Sequence, residues 1–324
     1  MTEKSPHKKE KLFRILISIL AILAVLTAFT YMLFEIVRDT NATQRLLLEA
    51  FMDNSKEAIV TITTSPSSEE VPPQTESSPT YREAVSVDLS KDTLTIENAT
   101  SYTLDERALS SHVFQKHLFD TRPMILLYHS DPKESYWNAG DRTVLASHAF
   151  RDSTNNITTV GDAVADVLTS AGIASIHITE PIVDIEKTLE EYRNLYPSIR
   201  YCLDIRRDGI YTNDGRIVKS EGRIGKAPSA QLMLAVGCDI AGGKLKWQSN
   251  LAAAYRIAEM MQQAEPTSLR AIHLRPESLG QQDEILHLTL FVGTTGNTLQ
   301  EASSSARFFA RYLALFILSN CGVD

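Results

Sequence analysis

The sequence predicts an α/β domain in which helices cover a mainly parallel β-sheet, preceded by one transmembrane helix. From about residue 85 onward, short apolar runs with the length of buried strands alternate with segments of helical periodicity. Strands that alternate with helices of this length are typical of a parallel sheet with helices packed on it. A separate uncharged run near the N-terminus, residues 15–34, is long enough to cross a bilayer.

The uncharged run ILISILAILAVLTAFTYMLF spans roughly 30 Å as a helix, the thickness of the hydrocarbon core of a membrane. The basic residues that precede it are Lys4, Lys8, Lys9, Lys11 and Arg14. Because basic flanks stay inside, residues 1–14 are expected in the cytoplasm and the C-terminal domain outside it. The alternative is a cleaved signal peptide, whose apolar core is normally shorter and ends in a small-residue cleavage site. We expect an uncleaved, single-pass anchor in the cell membrane.

Composition divides the rest of the chain into three segments. Residues 35–62 are expected to form a juxtamembrane segment. Residues 63–80, TTSPSSEEVPPQTESSPT, hold four of the twelve prolines and no basic residue, which predicts a disordered, extended linker. Residues 81–324 form the predicted folded domain. The net charge of −8 and a pI near 5.6 argue against nucleic acid as a partner.

Within the folded domain the elements are predicted in chain order. A small strand pair is expected at 86–100, and buried strands are expected at 124–128, 173–178, 199–205, 230–237 and 285–293. The helices are expected between them, at 156–172 with Gly172 as the C-terminal signal, at 182–196, from 250 with Asn250 as its cap, and at 298–318. The last helix opens with Thr298 and Glu301, the spacing of a capping box.

Polar residues follow the predicted strand ends, where sites gather in open α/β sheets. Three such ends are Tyr128–His129, Ile205–Arg206 and Phe291–Gly293. The first continues as YHSDPKESYW, residues 128–137, which places a histidine, an aspartate and a glutamate within six positions. Histidine and carboxylate side chains are ligands of zinc, so this segment suggests part of a metal site.

Several motifs in the same order resemble the stage II sporulation protein P (SpoIIP) family. The family's YHTHTTESY is present as YHSDPKESY, and its DIHRDG as DIRRDG at 204–209. Its remaining segments resemble VGDAVADVL, VGCDIAGGKLKWQSN and FVGTTGNTLQEA, so the similarity runs from about residue 94 to the C-terminus. The resemblance implies an amidase-like fold and a membrane-anchored zinc amidase. Such an enzyme cleaves the bond between N-acetylmuramic acid and L-alanine of peptidoglycan during engulfment of the forespore.

The chain departs from the family pattern at positions where that chemistry needs ligands and a base. His129 and Glu134 are retained, whereas Asp131 and Arg206 stand where the family has histidines, and Phe291 stands where it has a glutamate. Aspartate can bind zinc, but a guanidinium has no lone pair and stays charged. Phenylalanine cannot accept a proton from water. We therefore predict a degenerate zinc site in which His129, Asp131 and Glu134 are remnants of the ligand set, and we expect no cofactor, with zinc as the family's metal.

Arg206 has two interpretations. It either grips a carboxylate of a ligand together with Arg207, or replaces the metal by pairing with Asp131 or Glu134. In the second case the Phe291 ring packs beside the ion pair.

The remaining candidates are aromatic residues and histidines. Tyr136 and Trp137 either stack on sugar rings or cover the edge of the core. His177 is the better candidate for a substitute ligand, although the favoured interpretation is a hydrogen-bonded histidine at the end of a strand. His287 is about 13 Å along the strand from Phe291, too far to share an ion with that position.

The sequence leaves three functions open. The first is a pseudoamidase that binds peptidoglycan, or joins other membrane-anchored proteins that remodel the cell wall, during sporulation. The second is an active N-acetylmuramoyl-L-alanine amidase with a shifted metal site. The third is a membrane-tethered scaffold without catalysis.

Overall fold

A computed structural model of the chain describes residues 84–137, 155–238, 247–281 and 285–322. All of these residues belong to one compact unit. The predicted cytoplasmic tail, membrane anchor, juxtamembrane segment and linker lie outside the described residues. Within the described ranges, none of the helices has the length and apolar character needed to cross a membrane.

The centre of the domain is a seven-stranded sheet with the order β2-β10-β9-β11-β6-β4-β5. Its strands are β2 (Ile96–Asn98), β4 (Ile125–Tyr128), β5 (Ser175–His177), β6 (Tyr201–Asp208), β9 (Leu232–Gly237), β10 (Ile272–Arg275) and β11 (Leu286–Thr294). Neighbouring strands are parallel except for β9 and β11, which are antiparallel. The prediction of a mainly parallel sheet is therefore confirmed, and the carboxyl ends of β4, β5, β6 and β11 share one edge.

Helices pack on this sheet through their apolar faces. They are α1 (Glu106–Ser110), α2 (Ile157–Ser170), α3 (Ile185–Leu195), α4 (Trp247–Ala264) and α5 (Leu299–Ser319), with a short 3-10 helix at Pro266–Ser268. Leu189 of α3 packs with Leu126, Tyr128 and Cys202 of the sheet. Helix α5 contacts both α2 and α4, and all three contact strands of the sheet.

Local signals set the helix ends. The Asn156 side chain accepts the Thr158 amide at the start of α2, and Gly172 follows this helix with a φ of 76°, a backbone angle that favours glycine. The predicted capping box is present, since the Thr298 side chain accepts the Glu301 amide and the Glu301 side chain accepts the Thr298 amide. Helix α4 differs from the prediction. It begins at Trp247, and Asn250 lies inside it with its side-chain oxygen accepting the His287 amide.

Strands outside the main sheet form two smaller sheets. One has the order β1-β7-β8, with β1 (Val85–Val87), β7 (Val218–Ile224) and β8 (Ala227–Ala230); the other pairs β3 (His117–Leu118) with β12 (Cys321–Gly322). The predicted strand pair at 86–100 is wrong, because β1 pairs with β7 and β2 with β10. Alternation within each segment gave the strand but carried no information on a distant partner.

Candidate functional site

The strand register brings the predicted residues together at the shared edge of the sheet. Tyr128 on β4 pairs with Asp204 on β6, which places His129 beside the end of β6. His177 at the end of β5 pairs with Leu127, and Arg206 on β6 pairs directly with Phe291 on β11. The parallel pairing of β4 and β6 therefore brings the YHSDPKESY and DIRRDG motifs together at the same edge of the sheet.

Glu134 and Arg206 form an ion pair in this site. Arg206 Nη2 lies 3.3 Å from Glu134 Oε1, and the second carboxylate oxygen accepts the Arg207 amide at 2.7 Å. The Glu134 side chain is only 11% exposed and that of Arg206 31%. Burial raises the pKa of Glu134, and the Arg206 charge opposes that shift. Burial alone would lower the pKa of Arg206, but the Glu134 and Asp204 carboxylates outweigh it and the pKa is raised. The predicted pairing of Arg206 with a retained carboxylate is therefore present.

The Phe291 ring packs beside this pair, as the sequence predicted. The Arg206 Cζ atom lies 5.7 Å from the centre of the ring. The ring is buried among Met233, Ala235 and Leu279. An aromatic face attracts a cation, so Phe291 favours the charged guanidinium and shields it from water on one side.

Asp204 holds the loop that carries His129 and Glu134. Its two carboxylate oxygens accept the Ser130 amide at 2.9 Å and the Ser130 hydroxyl at 2.5 Å. Burial raises the pKa of Asp204, and the two bonds from Ser130 oppose that shift. Asp131 accepts the Lys133 amide at 3.1 Å, the short-range bond of a turn. The anchoring role of Asp204 was missed in the sequence, where its only signal was a carboxylate inside the apolar run of a strand.

His129 and His177 face each other through their Nε2 atoms, which are 2.7 Å apart. His129 Nδ1 must donate to the Ile205 carbonyl at 2.8 Å, because a carbonyl only accepts. His177 Nδ1 lies 3.0 Å from the Asp162 carboxylate, which also only accepts. Two neutral rings held in this way direct lone pairs at each other, a repulsion that a shared proton would relieve but that burial of the charged form opposes. Burial lowers the pKa of His129 to about 3 and also lowers that of His177, although Asp162 opposes the second shift.

Gly161 on α2 leaves the room for this histidine pair. A Cβ atom at this position would lie 2.4 Å from His177 Nε2 and 2.8 Å from His129 Nε2. Real Cβ atoms do not approach so closely, so any larger residue displaces one of the rings. The VGD motif therefore supplies both the space for the pair, through Gly161, and its carboxylate partner, Asp162.

The residues at this edge do not fit the zinc ion that the family resemblance implies. Arg206 places a permanent positive charge against Glu134, where a metal would need a lone pair. In the described ranges, no group of three or more His, Cys, Asp or Glu side chains has an arrangement that could hold a metal ion. The remnant positions His129, Asp131 and Glu134 share the same edge but bond to protein groups.

Two of the predicted ligand-binding residues point into the protein. The Tyr136 ring is fully buried and its hydroxyl donates to the Val292 carbonyl at 2.8 Å, so stacking of this ring on a sugar is wrong. The Arg207 guanidinium is also buried and donates to the Thr295 hydroxyl, so it cannot join Arg206 in gripping a ligand. Residue type alone does not specify which way these side chains turn.

The remaining aromatic candidate, Trp137, and the excluded ligand candidate, His287, both lie at least partly inside the protein. Trp137 is half-buried, and its amide donates to the Asn297 carbonyl at 2.9 Å, so its stacking role stays a prediction. His287 is buried against the Tyr128 hydroxyl at 3.0 Å.

Comparisons with known proteins place these motifs in a family. The model of the family "Stage II sporulation protein P (SpoIIP)" matches residues 39–314. No curated protein matches the sequence.

Several solved amidases are similar at 11–13% identity. They include AmiC2 of Nostoc punctiforme (11% identity, 60% of this chain, 96% of that chain, TM-score 0.37) and Ami1 from Mycobacterium smegmatis (12%, 62%, 100%, 0.38). The CwlD amidase from Clostridioides difficile, in complex with the GerS lipoprotein, is a third (13%, 60%, 99%, 0.34). TM-scores this low carry no conclusion about fold or activity. The family model covers most of the chain, and the chain therefore belongs to the SpoIIP family.

Proposed function

We propose that this SpoIIP-family protein binds peptidoglycan during sporulation without hydrolysing it, as a pseudoamidase. The observation that carries the proposal is the Arg206–Glu134 ion pair, which joins a retained carboxylate to a guanidinium standing where the family resemblance implies a histidine. The domain is proposed to act outside the cytoplasm, on the anchor of residues 15–34 and the linker of residues 63–80. Its partners are proposed to be peptidoglycan and other membrane-anchored proteins of cell-wall remodelling.

Two chemical requirements of a zinc amidase fail together at this site. At an effective dielectric of 20, two unit charges about 4 Å apart interact by roughly 4 kcal/mol, and zinc carries twice the unit charge. Arg206 therefore opposes a zinc ion at Glu134. The base that would take a proton from water is also missing at position 291, where the buried Phe291 ring has no acceptor.

A dye-release assay on labelled sacculi tests the absence of hydrolysis. The purified chain, kept in mild detergent, should release no dye even when zinc is added. Release that depends on zinc and is lost in His129→Ala would overturn the proposal. Pelleting with unlabelled sacculi tests binding, and a chain that stays in the supernatant would favour the scaffold without catalysis.

Restoring the family's polar residues tests the assignment of the three departures. The variant Asp131→His/Arg206→His/Phe291→Glu should bind zinc measurably above the parent, because it returns two ligands and a carboxylate to one sheet edge. We do not expect these changes alone to restore hydrolysis, because a working zinc site also needs residues that hydrogen-bond its ligands and orient them. A folded triple variant with no more zinc than the parent would show that these positions do not correspond to the family's site.

One observation favours the second candidate, an active amidase with a shifted metal site. His177 faces His129 with its second nitrogen held by Asp162, and a carboxylate behind a histidine is the usual support of a metal ligand. Zinc that copurifies with the parent and is lost in His177→Ala, together with dye release, would establish this candidate. A parent without zinc-dependent release supports the pseudoamidase.

A further inference from the structure

The Phe291 ring contacts a second arginine besides Arg206. The Arg275 Cζ atom, at the end of β10, lies 5.9 Å from the centre of the ring. The two guanidinium groups therefore converge on one aromatic side chain from strands β6 and β10. A glutamate at position 291, as in the family pattern, would bring a carboxylate close to both; the phenylalanine brings none.

The two arginines differ in their partners. Arg206 is paired with Glu134. The half-buried Arg275 guanidinium has neither a carboxylate nor a carbonyl bonded to it among the described residues. The contact with the Phe291 ring uses none of the five N–H donors of Arg275. A guanidinium that has lost part of its hydration gains most from an oxygen pair that matches its planar fork.

Another arginine that lies over a phenylalanine ring differs from Arg275 in its bonding. Arg256 on α4 lies over the Phe114 ring at 5.4 Å, much as Arg275 lies over Phe291. Its Nη2 atom donates to the Ser110 carbonyl at 2.7 Å and to the His112 carbonyl at 3.2 Å. Stacking in Arg256 thus accompanies bonds to the backbone, whereas in Arg275 the donors remain for another molecule.

Arg275 also lines a cavity of about 540 Å³ at the ends of β2 and β10, which is large enough for an amino-acid or sugar unit. Two carboxylates share the lining. Glu97 is taken by His273, whose Nε2 lies 3.0 Å from it, and Glu277 is exposed, so water screens its charge. Burial lowers the pKa of His273, so both carboxylates keep their negative charge, and Arg275 is the lining group that can bind an anion.

We infer that Arg275 binds a free carboxylate of the peptidoglycan stem peptide, with the Phe291 ring in contact with its guanidinium. This rests on the proposed binding of peptidoglycan and names the group that is recognised. The Arg206–Glu134 pair contacts the same ring from β6. Because β9 and β11 are antiparallel, β10 ends at the opposite edge of the sheet from β6, so the bound peptide is expected at that opposite edge.

Sacculus pelleting with variants of the full chain tests the inference. Arg275→Gln should raise the protein concentration at half-saturation about tenfold, because one charge-assisted contact with the sacculus is lost. Arg275→Lys should recover only part of the binding, because an ammonium lacks the fork and stacks poorly. Arg256→Gln is the matched control and should bind like the parent. Melting curves of the variants confirm that each is folded.

Changes in the ligand identify the anion. Amidation of the sacculus carboxylates with a carbodiimide and ethanolamine should weaken binding of the parent as much as Arg275→Gln does. The same treatment should not weaken binding of the Arg275→Gln variant further. Removal of phosphate polymers with hydrofluoric acid should leave binding unchanged.

The outcomes separate this inference from the proposed function. A parent that binds no sacculi overturns the binding function itself. A parent that binds, with Arg275→Gln equally tight, or with a loss caused only by removal of phosphate, overturns the role of Arg275 and leaves peptidoglycan binding in place.

Discussion

Deleting the cation at position 206 should destabilise the domain by about 2 kcal/mol near neutral pH. Breaking a fully buried ion pair costs about 3–5 kcal/mol and breaking an exposed one about 0–1 kcal/mol. Here Glu134 is 11% exposed but Arg206 is 31% exposed, and the Arg207 amide still bonds to the carboxylate in the variant. An intermediate value for Arg206→Ala follows, which lowers the melting temperature of a domain of this size by roughly 4–8 °C.

The stability lost in Arg206→Ala should be larger at high pH than at low pH. Burial raises the pKa of Glu134 and of Asp204, and Arg206 opposes both shifts. Without Arg206 the folded-state pKa of each rises further above its unfolded value. A raised carboxyl pKa means that the folded state binds more protons, so stability falls as the pH rises through the folded pKa. The deficit of Arg206→Ala should therefore be full at pH 8 and shrink towards pH 4.

Denaturant unfolding of the purified chain, followed by tryptophan fluorescence at several pH values, measures this difference. Arg216→Ala is the matched control, because Arg216 bonds to Asp214 at 2.9 Å with side chains 43% and 54% exposed. It should cost less than about 0.5 kcal/mol. If Arg206→Ala costs no more than this control, or costs the same at pH 4 and pH 8, the ion pair does not stabilise the fold in the way described.

Two further substitutions test the packing of the site. Gly161→Ala should destabilise the domain by about 1–3 kcal/mol because its methyl group collides with His177, whereas Gly209→Ala, whose nearest neighbour is 3.7 Å away, should be nearly neutral; equal melting temperatures for the two would contradict the contact. Tyr136→Phe should cost about 1 kcal/mol in denaturant unfolding because it loses the bond to the Val292 carbonyl, and an unchanged free energy of unfolding would contradict that bond.

The parts of the fold that the sequence predicted are those with strong local signals. The apolar runs at 124–128 and 199–205 gave β4 and β6, and the capping box gave the start of α5. The antiparallel pairing of β9 with β11 was not predicted, because alternation along a strand does not encode the direction of its neighbour. Strand β10 was missed since four residues are too few to show a period.

The contacts of the candidate site likewise include some that the sequence predicted and others that it did not. The Arg206–Glu134 pair followed from the convergence of strand ends and the need to balance a carboxylate, both of which are readable from residue types. The approach of His177 to His129 was not readable, because it depends on the missing side chain of Gly161 on a separate helix. Tyr136 was misjudged because an aromatic residue beside a loop looks the same whether it faces water or the core.

The Arg206–Glu134 pair also restricts the order in which mutations can reach the family's polar set. Arg206→His as a first step removes the partner of a buried carboxylate while Phe291 still fills the position of the base. Phe291→Glu as a first step breaks an apolar cluster, although its carboxylate would lie near the guanidinium groups of Arg206 and Arg275. Arg206→His as a first step therefore lowers stability before it can restore a ligand, so the ion pair resists reversal through that position.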